Sequence, residues 1–93
     1  MHFIKSLKDG QQIEEIYLCT KITTGTTKLG KQYLTVNLRD KTGDVDAKIW
    51  DPDSPGIADF DESDFVRVRA EVRLYQGRIQ LSVHSLQKVI SLH

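Results

Sequence analysis

The stretch Gln32-Tyr33-Leu34-Thr35-Val36-Asn37-Leu38-Arg39-Asp40-Lys41-Thr42-Gly43-Asp44-Val45-Asp46-Ala47-Lys48-Ile49-Trp50 decides the fold class. Leu34, Val36 and Leu38 alternate with Tyr33, Thr35, Asn37 and Arg39, and Val45, Ala47 and Ile49 alternate with Asp46, Lys48 and Trp50. This period of two predicts two strands, 32–40 and 45–50, each with one apolar face turned to a core. Between them, Asp40-Lys41-Thr42-Gly43-Asp44 has the Gly and Asx chemistry of a tight hairpin.

Upstream, a first strand is expected from Ile13 to Thr24. Its middle, Ile16-Tyr17-Leu18-Cys19, is apolar on both faces, as in a bent strand that serves both halves of a barrel. Gly25 to Lys31 is a turn, with Leu29-Gly30-Lys31 reversing the chain. Downstream, Pro52 and Pro55 break the sheet, and Gly56-Ile57-Ala58-Asp59-Phe60 predicts one helical turn, capped by Asp53 or Ser54. Ile57 and Phe60 would then plug one end of the barrel. A fourth strand, 65–75, points Val66, Val68, Ala70, Val72 and Leu74 inward, and Arg67, Arg69, Glu71, Arg73 and Tyr75 outward. Gln76-Gly77 turns it into a fifth, 78–85, with Ile79, Leu81 and Val83 inward and His84 outward. Five strands in this order, with a helical insertion between the third and fourth, predict an all-β, five-stranded OB-fold Greek-key barrel.

With 93 residues the chain is expected to be one domain over 1–93. The last segment, 86–93, stays apolar at Leu86, Val89, Ile90 and Leu92 and is expected to begin a helix or linker towards a further domain. No apolar run has transmembrane length, so no membrane partner is expected. The start, Met1-His2-Phe3-Ile4-Lys5, lacks a long apolar stretch and a small-residue cleavage site, which makes a cytoplasmic location the expectation. The lone Cys19 forms no internal disulfide and fits a buried thiol.

The net charge is zero, from 13 basic and 13 acidic residues, but the charges are segregated. Asp51 to Asp64 holds six acids and no Lys or Arg, so the rest of the chain sets thirteen basic residues against seven acidic ones, a net of +6. A basic region of this kind suits a polyanion such as nucleic acid, although the same charges also serve simply to solvate a surface.

Single-strand binders combine a basic groove with rings on which bases stack. The second and third strands place Tyr33, Thr35, Asn37 and Arg39 beside Asp46, Lys48 and Trp50 on one outer face. Tyr33 and Trp50 are the stacking candidates, and their alternative role is to cover a barrel edge. Lys28 and Lys31 in the first turn, and Arg78 after the last, are phosphate candidates or solvated turn residues. Arg73 is the best placed of the outward arginines, a row that can equally protect a strand edge. Tyr75 and Gln80 flank the same groove. His2, His84 and His93 are too scattered for a metal cluster, and the acids of 51–64 lack a cation-loop spacing, so no metal, cofactor or catalytic set is expected.

Tyr33-Leu34, Leu38-Arg39-Asp40-Lys41-Thr42-Gly43 and Asp46-Ala47-Lys48-Ile49-Trp50-Asp51, preceded by Ile16-Tyr17-Leu18 and Thr27-Lys28-Leu29-Gly30-Lys31, resemble the N-terminal OB domain of YhaM-type bacterial 3′-to-5′ exoribonucleases. The similarity runs on through Asp64-Phe65-Val66-Arg67-Val68-Arg69 and Tyr75-Gln76-Gly77-Arg78-Ile79-Gln80-Leu81. The Asp-Lys-Thr-Gly turn is common among OB folds; its combination with Ala-Lys-Ile-Trp-Asp is more specific. The resemblance implies a module that binds single-stranded RNA or DNA for a linked, metal-dependent HD phosphohydrolase domain. No His-Asp dipeptide occurs in this chain, so hydrolysis is not carried over to it. The other class left open is an OB-fold protein-interaction or oligomerisation module.

Overall fold

A computed structural model describes residues 2–89. A 3₁₀ turn at Ile4–Ser6 precedes five strands: β1 (Gln12–Thr26), β2 (Gln32–Asp40), β3 (Gly43–Ile49), β4 (Phe65–Tyr75) and β5 (Arg78–Lys88). They close into a barrel in the order β1-β2-β3-β5-β4. All pairings are antiparallel except β3 with β5, which run parallel from Asp46↔Gln80 to Lys48↔Ser82. This is the five-stranded OB barrel expected from the alternation.

Closure depends on β1. Its first half pairs with β4 from Gln12↔Glu71 to Leu18↔Phe65, and its second half pairs with β2 from Leu18↔Arg39 to Thr26↔Gln32. The register steps from Cys19↔Leu38 to Lys21↔Asn37, leaving Thr20 as the extra residue of a bulge. Its hydroxyl donates to the Asn37 side-chain oxygen at 2.5 Å. An extra residue inverts the side-chain phase of a strand. Ile13, Tyr17 and Cys19 therefore face inward before the bulge, while Ile22 faces the core after it and Lys21 and Thr23 face out. Past Leu18, β1 parts from β4, and its edge is covered by the acidic connection. Cys19 N–H donates to the Asp64 carbonyl, Ser63 N–H to the Cys19 carbonyl, and Ile22 N–H to the Glu62 carboxylate.

The core is aliphatic, with Val36, Leu38, Val66, Val68, Val72, Leu81 and Leu86 fully buried. Cys19 lies among them, and burial, with Glu62 and Asp64 adding, pushes its thiol up to about 11.

Four expectations need correction. The 56–60 segment is not helical: its backbone bonds to β5 instead, with Leu86 N–H donating to the Gly56 carbonyl and Ala58 N–H to the Leu86 carbonyl. A five-residue helix following a proline gains too few internal bonds to compete with that pairing. No cap forms at Asp53 or Ser54, yet Ile57 and Phe60 do pack against the core. Leu74, inward by phase, is 57 % exposed, because β4 and β5 run on as a hairpin past their pairing with β1 and β3. Gln76 (φ 52°) and Gly77 (φ 78°) give that hairpin the two left-handed residues of a tight primed turn. β3 ends at Ile49, placing Trp50 just beyond it. Finally, 86–88 continue β5 rather than starting a helix or linker; a second bulge, at His84, lets Leu86 reach the core. Residues 90–93 lie outside the described residues.

The opposite end is closed by the N-terminal segment, which no periodicity marks. Ile4 and Leu7 are buried there. Ile4 N–H donates to the Asp40 carboxylate at 2.8 Å, and Tyr17 Oη donates to the His2 carbonyl at 2.7 Å. Burial, with Glu15 and Asp40 adding, raises the Tyr17 phenol well above its ordinary value. Burial also pushes the Asp40 carboxyl up, but hydrogen bonds from the Thr42 hydroxyl and the Ile4, Thr42 and Gly43 amides outweigh it and hold the group below the ordinary aspartate value.

Candidate nucleic-acid interface

Alternation sends every second side chain of β1 after its bulge, β2, β3 and the start of β5 onto one outer face. The register lines them up in rows: Thr23, Thr35, Lys48 and Ser82; then Lys21, Asn37, Asp46, Gln80 and Arg73. Gly25 lies opposite Tyr33 at the end near the β1–β2 loop.

At that end Tyr33 and Trp50 are in contact, with ring centroids 5.0 Å apart and planes tilted by 41°. This is a favourable offset geometry. Lys48 Nζ sits 5.2 Å from the Tyr33 centroid and donates to Thr35 Oγ1 at 2.7 Å. The ammonium is thus held by a ring and a hydroxyl, with no carboxylate partner among the described residues. Tyr33 is partly buried, whereas Trp50 is 49 % exposed.

Next to this group, Lys48, Trp50, Arg73, Tyr75 and Gln80 line an open cleft of about 390 Å³ with Leu74, Leu81 and Ser82. Arg73 Nη2 is 3.0 Å from the Glu71 carboxylate, so its charge is partly answered within β4. A second cleft, about 650 Å³, lies beyond Tyr75 and is lined in part by Asn37, Asp44, Asp46, Arg78 and Gln80. Asn37 Nδ2 donates to both Asp44 and Asp46 at 3.2 Å, which makes this end of the face acidic.

The structure therefore gathers Tyr33, Thr35, Lys48, Trp50, Arg73, Tyr75 and Gln80 into one surface. It places Asn37 and Arg78 in the adjoining cleft. Arg39 lies opposite Asp44 towards the β2–β3 turn, separated from the rings by the acids. Lys28 and Lys31 are exposed in the β1–β2 loop, whose form is set by bonds between Thr27 and Lys31. The arginines of β4 divide: Arg69 pairs with Glu14 at 3.4 Å, and Arg67 lines a separate hollow with His2 and Phe3. Lys21 was not anticipated. Its only signal is parity, since Ile13, Tyr17 and Cys19 occupy odd positions and Ile22 an even one, which requires an extra residue between them. Among the described residues there is no metal-binding cluster of His, Cys, Asp and Glu, and no helix long and apolar enough to cross a membrane.

The family described as tRNA-anticodon-type OB-fold nucleic acid binding domains matches residues 17–89. Curated relatives include the 3′-5′ exoribonuclease YhaM of Geobacillus sp. (strain WCH70), 33 % identical over 84 % of this chain, and that of Bacillus subtilis (strain 168), 32 % identical over 86 %. The match takes in only 24 % and 26 % of those proteins, so the chain spans about a quarter of their length. Among solved structures, the second OB-fold domain of replication protein A from Methanococcus maripaludis superposes with a TM-score of 0.71 at 17 % identity, over 99 % of this chain and 98 % of that one. A replication protein A heterotrimer bound to single-stranded DNA gives 0.70 at 19 % identity, over 96 % of this chain and 65 % of that one.

Proposed function

Because the chain belongs to the tRNA-anticodon-type OB-fold nucleic-acid-binding family, we propose that its outer face, from the β1–β2 loop to the β4–β5 turn, binds single-stranded RNA or DNA. The observation that supports this best is the Tyr33–Trp50 pair with Lys48 beside it: an exposed ring face for a base and, for the phosphate next to it, a cation without a carboxylate partner among the described residues. Lys28, Lys31 and Arg78 add phosphate contacts, Arg73 contributes less because Glu71 answers its charge, and Tyr75 and Gln80 add a second ring and an amide. Thr35 holds Lys48 in place, while Asn37 and Arg39 lie at the acidic end and contribute less.

The role we infer is that of the substrate-binding domain of a larger 3′-to-5′ exoribonuclease, holding the strand for an HD hydrolase domain outside this chain. The strand is recognised mainly by stacking and charge, with weak sequence preference. Fluorescence anisotropy of labelled single-stranded RNA, single-stranded DNA and duplex tests this. Saturable binding to single strands in preference to duplex is expected, and absence of binding at low salt would refute it.

One observation favours a second reading. Ile16 (45 % exposed) and Phe65 (56 % exposed) share the outer face of the β1–β4 pair with Leu18, which suits a protein contact. Light scattering on the eluting protein decides: a stable dimer without oligonucleotide affinity would favour an interaction module.

A further inference from the structure

We infer that Gly25 is a positioning residue of the interface, and that within the Tyr33–Trp50 pair the base-stacking surface is the free face of Trp50, with Tyr33 acting as its support. This rests on the binding face proposed above and says how that face is built.

Two observations carry it. The Tyr33 and Trp50 rings already touch, at 5.0 Å between centroids, so no base can enter between them. A base reaches the pair only from the exposed side of Trp50, where Lys48, Tyr75 and Gln80 line the cleft. Tyr33 is placed by what lies beneath it. Gly25 is its direct cross-strand partner, and the ring occupies the space that a side chain would fill. A Cβ built at Gly25 would lie 2.8 Å from Tyr33 Cε1 and nearer still to Cζ and Oη. A ring laid over a cross-strand glycine is a recognised way of filling such a gap. Gly25 has ordinary backbone angles, so the requirement for glycine here is one of space and not of conformation.

The clashing atoms are at the far end of the Tyr33 side chain. A methyl at Gly25 therefore moves the ring and leaves the barrel standing. Displacing the ring removes the support of Trp50 and the cation–π contact of Lys48 in one step.

The experiment uses Gly25→Ala in the full chain. Trp50 is the only tryptophan, so intrinsic emission reports on it alone. Expected are a cooperative melt, a red-shifted and more readily quenched Trp50 emission, and single-strand affinity lowered about three- to tenfold. Trp50→Ala, which removes the stack outright, should cost about five- to 150-fold. In a Tyr33→Ala background, Gly25→Ala should have no further effect on emission or affinity, since the methyl then meets no ring. If Gly25→Ala alone fails to fold, adding Tyr33→Ala must restore the melt. Unchanged emission in Gly25→Ala, or a full additional loss of affinity in the Tyr33→Ala background, would overturn the inference while leaving the interface in place. Unchanged affinity in both Gly25→Ala and Trp50→Ala, with oligonucleotide still bound, would overturn the inference and the proposed face together.

Discussion

The dependence of binding on salt can be worked out from the charges on the face. Four cations lie along the path from the β1–β2 loop past Trp50 to the β4–β5 turn without a carboxylate partner among the described residues: Lys28, Lys31, Lys48 and Arg78. Arg73 is discounted because Glu71 answers it at 3.0 Å, and Arg39 because Asp44 and Asp46 stand between it and the rings. A single-stranded ligand releases about 0.7 counterion per phosphate contact, so four contacts give a slope of log affinity against log salt of about −2.8. Raising monovalent salt fourfold should then weaken binding about fiftyfold. Anisotropy titrations of one labelled single strand across a salt series measure the slope directly. Arg78→Ala should make it shallower by about 0.7, whereas Arg39→Ala should leave it alone. A slope shallower than about −1 would refute the phosphate-contact account. A larger effect of Arg39→Ala than of Arg78→Ala would show that the strand runs along β2 instead.

Other consequences follow from single contacts. Trp50→Ala should cost about 1–3 kcal/mol of single-strand affinity with little loss of stability, since the ring lies just outside β3 and half exposed; oligonucleotide titration alongside urea unfolding checks both halves. Asp40→Ala strips the acceptor from the Ile4 and Thr42 amides and should lower stability by about 2–4 kcal/mol in urea unfolding. Because the folded-state value of Asp40 is depressed, its contribution is present above the ordinary aspartate range and is lost as pH falls through the folded value. The native protein should thus lose stability in acid more steeply than Asp40→Asn.

The strands were legible because each buries one face, and a period of two survives in Leu34-Val36-Leu38 and Val66-Val68-Ala70-Val72 whatever the rest of the chain does. The two barrel ends were not. Ile57 and Phe60 were recognised as end plugs, but whether 56–60 coils or extends was decided by Leu86, thirty residues away, whose backbone bonds to Gly56 and Ala58. The N-terminal plug, Ile4 and Leu7, is invisible to periodicity because it comprises two apolar residues anchored by distant groups, Asp40 and the Tyr17 hydroxyl. On the candidate face, residue type and phase brought Tyr33, Lys48 and Trp50 together. The bulge that brings Lys21 to the same surface, and the contact of Tyr33 with Gly25, depend on register, which no single strand contains.

Register also explains how a chain of zero net charge can suit a polyanion. Two acids of 51–64 are used as acceptors: Glu62 takes the Ile22 amide on the free edge of β1, and Asp64 takes the Asp61 amide within the connection and faces Lys88 at 3.6 Å. Glu62 thus helps to close that strand edge. On the candidate face, Asp44 and Asp46 are gathered around Asn37 at the β2–β3 end. Negative charge at one end of an otherwise basic surface repels phosphate there and leaves the basic, aromatic end open. On the proposed face, a strand passing the β1–β2 loop would meet Trp50 and Lys48 and turn towards Tyr75 and Arg78, while Asp44 and Asp46 would oppose its continuing along β2 to Arg39.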